Sequence, residues 1–291
     1  MAKPPFADIG FCIYCDARYY TQDGQEEPHL EHIVPFALNG DLALGRASCR
    51  ACERVTGRFE AKVLRNHLRG PRHVMGLDSR NEYEDERLPL FVPDVKGERK
   101  IMVPIEEFPA ALFLPVFPDP PALWDIAGYG PVAYDHPPFV HSFTDIRKTA
   151  QTYDIREWSY GSMDTRLFCR MIAKIAHAFA MGTMGPERFE PILPELIRDP
   201  DLTSRAILPF IGGQPIKSPS PERRHHLEHT SVEIDGKIYF LVNVRLFANL
   251  GAPIYCAVIG TPKGQAMPPL VENPGGVNGL PNYYRVGVRV R

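Results

Sequence analysis

Two short repeats constrain this chain more than any other feature: CIYC, with Cys12 and Cys15, and CRAC, with Cys49 and Cys52. Two C-x2-C pairs separated by a loop present four thiols at the spacing of a tetrahedral zinc site. One such pair could equally be a redox dithiol or a chance recurrence, but two pairs flanking a compact segment favour the metal. In a reducing compartment a disulfide framework is not expected, and Cys169 and Cys256 stand alone. Zinc held by thiolates contributes ~10–16 kcal/mol to the folding of a small unit. That is enough to hold roughly the first 70 residues together without a large core.

Between the pairs runs PHLEHIVPFALNG, residues 28–40, after a turn signal at Asp23-Gly24. His32 lies midway, with sixteen residues separating it from Cys15 and sixteen from Cys49. An ion joining the two knuckles therefore draws His32 and the helix beginning at Arg50 into one fold of two strands and a helix. On that helix Val55, Phe59 and Val63 recur at i, i+4 and i+8, which marks an inward face. Arg50, Arg54, Arg58, Lys62, Arg65, Arg69 and Arg72 form a basic stripe, opposed only by Glu53 and Glu60. Pairing within the helix does not account for that stripe. Its plain reading is a solvated helix side, and its functional reading is a seat for phosphates. His32 at a strand end, facing carboxylates, suits phosphodiester hydrolysis: an imidazole takes the proton of water, and a carboxylate holds Mg²⁺.

CIYC, EHIVP and SCRAC, in that order, resemble the HNH endonuclease family, the zinc-knuckle ββα-metal nucleases, over about residues 9–68. The resemblance implies structural zinc on Cys12, Cys15, Cys49 and Cys52, with His32 as general base. It implies Glu31 as a ligand of catalytic Mg²⁺ or Mn²⁺, with Pro35 closing the strand. Where the family carries His or Asn directly after the second pair, this chain has Glu53, and Glu60 is a second candidate ligand two turns on. The family's middle Asn has its nearest counterpart in Asn39. The expected function is a metal-dependent endonuclease acting on nucleic acid, DNA rather than RNA, with Arg50, Arg54, Arg58, Lys62 and Arg65 seating the backbone. The alternative, raised by Glu53, is a zinc-stabilised nucleic-acid-binding or interaction module without catalysis.

The expected class is α+β: a small zinc-bound HNH unit over residues 1–75, then a larger α+β accessory domain over 76–291 with a helical pair and an antiparallel sheet. In the second part, RKIMVPIEEF and ALFLPVFP read as strands. SMDTRLFCRMIAKIAHAFAMGTMG reads as a helix capped by Ser162 or Asp164, with Leu167, Phe168, Met171, Ile172, Ile175 and Phe179 inward and Arg166, Arg170 and Lys174 opposite. A second helix is expected around PERFEPILPELI. TSVEIDGKIYFLVNVRLF reads as a hairpin turning at Asp235-Gly236, and APIYCAVIG as a strand burying Cys256. HLEH recurs at 226–229; His225 and His229 would suit a metal only on a helix, so an exposed basic loop is expected there. His136 and His141 read as ordinary surface or structural residues, and the glycines of NPGGVNGLPN have no phosphate-loop context. The apolar fraction of 44% and a net charge of -2 indicate a globular chain whose basic surface must be local. The absence of a signal-like start or a long apolar run suggests a cytoplasmic protein without membrane contact. Oligomeric state is left open, a homo-oligomer included.

Overall fold

The computed structural model describes residues 6–21, 27–77, 87–120, 122–123, 138–159, 163–214, 218–265, 283–284 and 287–289. The Asp23-Gly24 turn, His136, Ser162 and the glycines of NPGGVNGLPN lie outside them. The chain is α+β, with its sheets antiparallel.

Strand β1 (His29–His32) pairs with β2 (Ala43–Ser48), and helix α1 (Arg50–Lys62) follows directly. The expected two strands and helix are present. His29 faces Ser48 while Glu31 faces Leu44, so Gly45, Arg46 and Ala47 of β2 lie opposite Leu30 alone. Arg46 adopts a φ of 51° within this irregular stretch. Such a bulge bends a strand and re-aims its side chains. The cysteine-bearing segment ahead of β1 is stitched along β2. The backbone N–H groups of Ile9, Gly10 and Ile13 donate to the carbonyls of Gly45, Arg46 and Ala47 at 3.0, 3.1 and 2.9 Å. That seam brings the first knuckle beside the second. Past α1 the chain makes a π turn over Val63–His67 and a short helix α2 (Arg69–Val74).

The middle of the chain is a strand region. β3 (Arg87–Asp94) and β4 (Gly97–Pro104) pair over their whole length, and β5 (Ala111–Leu114) pairs with β6 (Phe139–Ser142). Helix α3 (Ile146–Thr152), β7 (Glu157–Ser159) and β8 (Met163–Asp164) lead into the long helix α4 (Thr165–Thr183). Then come β9 (Phe189–Pro191), α5 (Leu193–Arg198), β10 (Ile211–Gln214), β11 (His226–Ile234), β12 (Lys237–Arg245), β13 (Ile254–Pro262), β14 (Tyr283–Tyr284) and β15 (Gly287–Arg289). β10, β13, β12 and β11 lie in that order in one sheet, with β9 also pairing β13. Asp235 and Gly236 take φ values of 52° and 74°, the two left-handed positions that a two-residue hairpin turn requires.

Two expectations are corrected. The helix expected around PERFEPILPELI begins as strand β9, because residues 189–191 complete the edge of β13; only Leu193–Arg198 is helical. HLEH at 226–229 is not a loop. It opens β11, since the tight turn holds the hairpin in register as far as His226 opposite Arg245.

Helix α4 is the axis of the molecule. The Asp164 carboxylate caps it, accepting from the N–H groups of Arg166 and Leu167 at 3.0 and 3.4 Å. Every residue from Thr165 to Met181 is buried. Arg166, Arg170 and Lys174, expected opposite the apolar face, are therefore interior as well, because the ββα unit and residues 199–203 cover them. One apolar core runs from Ile13, Ile33 and Phe59 through Phe168, Met171 and Ile175 to Val242 and Tyr255. A smaller core, centred on Leu90, Val103 and Trp158, lies under the β3–β4 sheet.

Candidate metal centre and its neighbouring pocket

The sulfurs of Cys12, Cys15, Cys49 and Cys52 all lie within 4.8 Å of one another, so this cluster can hold a metal ion. Cys15 and Cys49 Sγ are 3.6 Å apart. Four sulfurs set tetrahedrally at ~2.3 Å from zinc are about 3.8 Å apart, so the donor set fits that ion. The first knuckle closes because the N–H groups of Cys15 and Asp16 both donate to the Cys12 carbonyl, at 3.3 and 2.8 Å. The second is a helix start: Cys49 is the N-terminal cap of α1, and Cys52 falls in its first turn. Thiolates are favoured at a helix N-terminus. Hydrogen bonding from the Cys52 thiol, against the opposing effect of burial, lowers the Cys12 thiol from 9.0 to about 5, while burial pushes Cys15 up to about 11. Crowded thiols resist joint ionisation, which a divalent ion at their centre relieves. Cys169 and Cys256 are buried elsewhere, and burial pushes the Cys256 thiol up to about 12.

At the end of the β1–β2 pair away from Cys49, His32 ends β1 half-buried, its ring tilted against Phe36 at a centroid distance of 5.7 Å. It lines a pocket of about 620 Å³ together with Glu31, Glu53, Glu60, Arg65, Arg69 and Lys174. The wall opposite α1 is the 3-10 turn Phe36–Leu38, fixed from two sides. Arg72 Nε donates to the Ala37 carbonyl at 2.7 Å. The Phe247 N–H donates to His225 Nδ1 at 3.3 Å, so Nε2 carries the proton and donates to the Leu38 carbonyl at 2.7 Å. Burial lowers the pKa of His225, in keeping with this neutral tautomer. His225 is thus a strut between the C-terminal sheet and the pocket wall.

The sequence-derived candidates separate into those at the pocket and those away from it. His32, Glu31, Glu53, Glu60 and Arg65 line it. Asn39 does not: with φ at 57° it closes the turn, its N–H donating to the Phe36 carbonyl at 2.8 Å. Asn tolerates this left-handed conformation better than most residues. Arg50, Arg54, Arg58 and Lys62 are exposed along α1 but do not line the pocket, Lys62 lining a separate one with Asn66 and His67, whereas Arg72, the last member of the stripe, turns inward to Ala37. His29 stacks on Tyr20 at a centroid distance of 3.7 Å, and the Tyr20 hydroxyl donates to the Glu53 carboxylate.

The acidic residues meet a partner that the sequence did not announce. Lys174 Nζ, on α4, lies 2.7 Å from Glu31 Oε1 and 3.0 Å from Glu60 Oε1, and also donates to the His32 carbonyl. Three oxygens thus surround the ammonium. Burial alone would lower the Lys174 pKa, but the charges of Glu31 and Glu60 outweigh it and raise the value, so the ammonium is retained. Burial raises the pKa of Glu60, partly offset by Lys174. As arranged, Glu31 and Glu60 do not fit a divalent ion, because an ammonium already fills the space their oxygens converge on. Glu53, on the same pocket, is engaged by Tyr20.

Three turns of α4 carry this support. Arg170 donates to the carbonyls of Asp199 and Asp201 at 2.6 and 2.7 Å, Lys174 grips β1, and His177 Nε2 donates to the Ile13 carbonyl inside the first knuckle at 2.7 Å. A visible signal was a polar row, Arg166, Arg170, Lys174 and His177, on a helix otherwise apolar all round. Burial lowers the His177 pKa from 6.5 to about 4. The folded state therefore holds His177 neutral where the unfolded chain binds a proton. Stability is full above the unfolded value and falls as pH drops from about 6.5 to about 4, by about 3 kcal/mol. Denaturant melts of wild type and His177→Gln at pH 7 and pH 4 should show a smaller acid loss in the variant by about that amount. Parallel losses would refute the assignment.

No protein-family model matches the chain, and neither a curated protein nor a solved structure matches it.

Proposed function

We propose that the chain is an endonuclease that hydrolyses phosphodiester bonds in nucleic acid, DNA by preference, with His32 as general base. The observation that carries this reading is the position of His32. It ends β1 at the wall of a pocket that carries both guanidinium and carboxylate groups and is shared with the first turns of α1, the helix that the four-cysteine centre starts. A zinc ion on Cys12, Cys15, Cys49 and Cys52 would fix the relative positions of β2 and α1. The exposed residues Arg50, Arg54, Arg58 and Lys62 would seat the backbone through phosphate contacts, with Arg65 nearest the reacting phosphate. The imidazole of His32 accepts a proton from water as the water oxygen bonds to phosphorus. Phe36, held by its fixed turn, restricts how the ring can move.

A second reading has one specific observation in its favour. The Lys174 contact with Glu31 and Glu60 also suits a nucleic-acid-binding module without catalysis. Purified protein incubated with supercoiled plasmid, with and without Mg²⁺ or Mn²⁺, separates the two. Nicking that falls about 10²–10⁴-fold in His32→Ala supports the nuclease. Salt-sensitive binding with no nicking under any condition supports the module.

A further inference from the structure

The pocket contains an acid pair with a resident cation, and that cation belongs to the protein. Lys174 arrives from the core helix α4, its side chain 2% exposed, and lies 2.7 and 3.0 Å from Glu31 and Glu60. The same ammonium donates to the backbone of His32. For a divalent ion to take oxygens from Glu31 and Glu60, Lys174 would have to leave. Its charge would then sit unpaired in the core, which is costly. Meanwhile the pocket carries guanidinium groups, Arg65 exposed at its rim and Arg69 half-buried on its wall.

We propose that Lys174 is the permanent cation of the Glu31–Glu60 pair, and that phosphodiester hydrolysis at His32 proceeds without a divalent ion, the phosphate charge being met by Arg65 and Arg69. This rests on the nuclease reading. In the step, the water oxygen bonds to phosphorus and the bond from phosphorus to the leaving sugar oxygen breaks, its electron pair staying on that oxygen. The water proton passes to His32, and solvent protonates the leaving oxygen. Arginine forks bind phosphate oxygens in pairs and stay charged at any working pH, so they can stand where Mg²⁺ would otherwise offset charge. Lys174 acts one step back, as a positioning residue, by fixing the backbone of His32.

The test uses the full chain, with its zinc content assayed before and after brief chelator treatment and kept constant. Plasmid nicking should proceed in the chelator and change less than about twofold when Mg²⁺ or Mn²⁺ is restored. In parallel, paramagnetic resonance of added Mn²⁺ should show no stoichiometric uptake by wild type. Lys174→Met, if it folds, should gain an uptake that Glu31→Gln then removes. Nicking that appears only with added metal, or stoichiometric Mn²⁺ uptake by wild type that Glu31→Gln abolishes, overturns the proposal while leaving the nuclease reading intact. No nicking in any condition overturns both.

Discussion

Replacing Cys12 and Cys49 together by Ser should abolish zinc binding and unfold the ββα unit. Wild type should carry one zinc per chain by atomic absorption, and the double variant none. The expected size follows from comparing two terms. Zinc in small thiolate sites contributes about 10–16 kcal/mol, whereas whole domains are stable by only about 5–15 kcal/mol. The unit shares its core with helix α4, through Ile13, Ile33 and Phe59, so part of its burial survives loss of the ion. That contribution is not large enough to compensate: β1 has four residues and β2 six, and the first knuckle has no helix or strand of its own. The thermal midpoint should therefore fall by more than about 10 °C, since a domain of this size loses roughly 2–4 °C for each kcal/mol. Because α4 is packed against the unit, the loss should spread beyond residues 9–68 and not appear as a separate early transition. An unchanged midpoint together with unchanged zinc content would remove the ion from the account.

The cysteine unit was legible because its signals are local. Two C-x2-C pairs and the i, i+4, i+8 spacing of Val55, Phe59 and Val63 report on neighbours in sequence, whereas the apolar run after His32, read as strand to Pro35, bends at Ile33 because the strand already ends at His32. The hairpin at Asp235-Gly236 was legible for the same reason: the turn chemistry is written in two adjacent residues. What could not be read were contacts whose partners lie far apart in the chain. Lys174 is 143 residues from Glu31, and no periodicity in either segment encodes the meeting. His225 was read as part of an exposed basic loop. It proved to be a strut to Leu38, because the hairpin register runs as far as His226 and leaves His225 just ahead of β11, over the turn that follows β1. The same limit explains Asn39. Its identity suggested a role beside His32, but a residue one step past a 3-10 turn is first a backbone device, and its left-handed conformation accounts for it. Short segments such as FEP also gave no sign that the edge of β13 would recruit them as strand rather than helix.

Lys174→Met should be among the most destabilising single substitutions in this chain, costing about 3–5 kcal/mol. The size comes from what is left behind. Met fills nearly the same volume and keeps the apolar stem packed, so a cavity contributes little. Two carboxylates, with side chains 7% exposed at Glu31 and 17% at Glu60, lose the ammonium between them, and the His32 carbonyl loses its donor. Removing one partner of a buried ion pair exposes the full desolvation penalty of the other. An interior salt bridge is not in itself strongly stabilising, which yields a sharper expectation for combined variants. Glu31→Gln and Glu60→Gln added to Lys174→Met should restore most of the loss, because the triple variant holds no uncompensated charge. The three substitutions share one network, so their effects should be far from additive. Urea melts of the single, double and triple variants measure this directly. If Lys174→Met costs less than about 1 kcal/mol, or the glutamines fail to rescue it, then the ammonium is not holding the acid pair together, and the support it gives to the backbone of His32 falls with it.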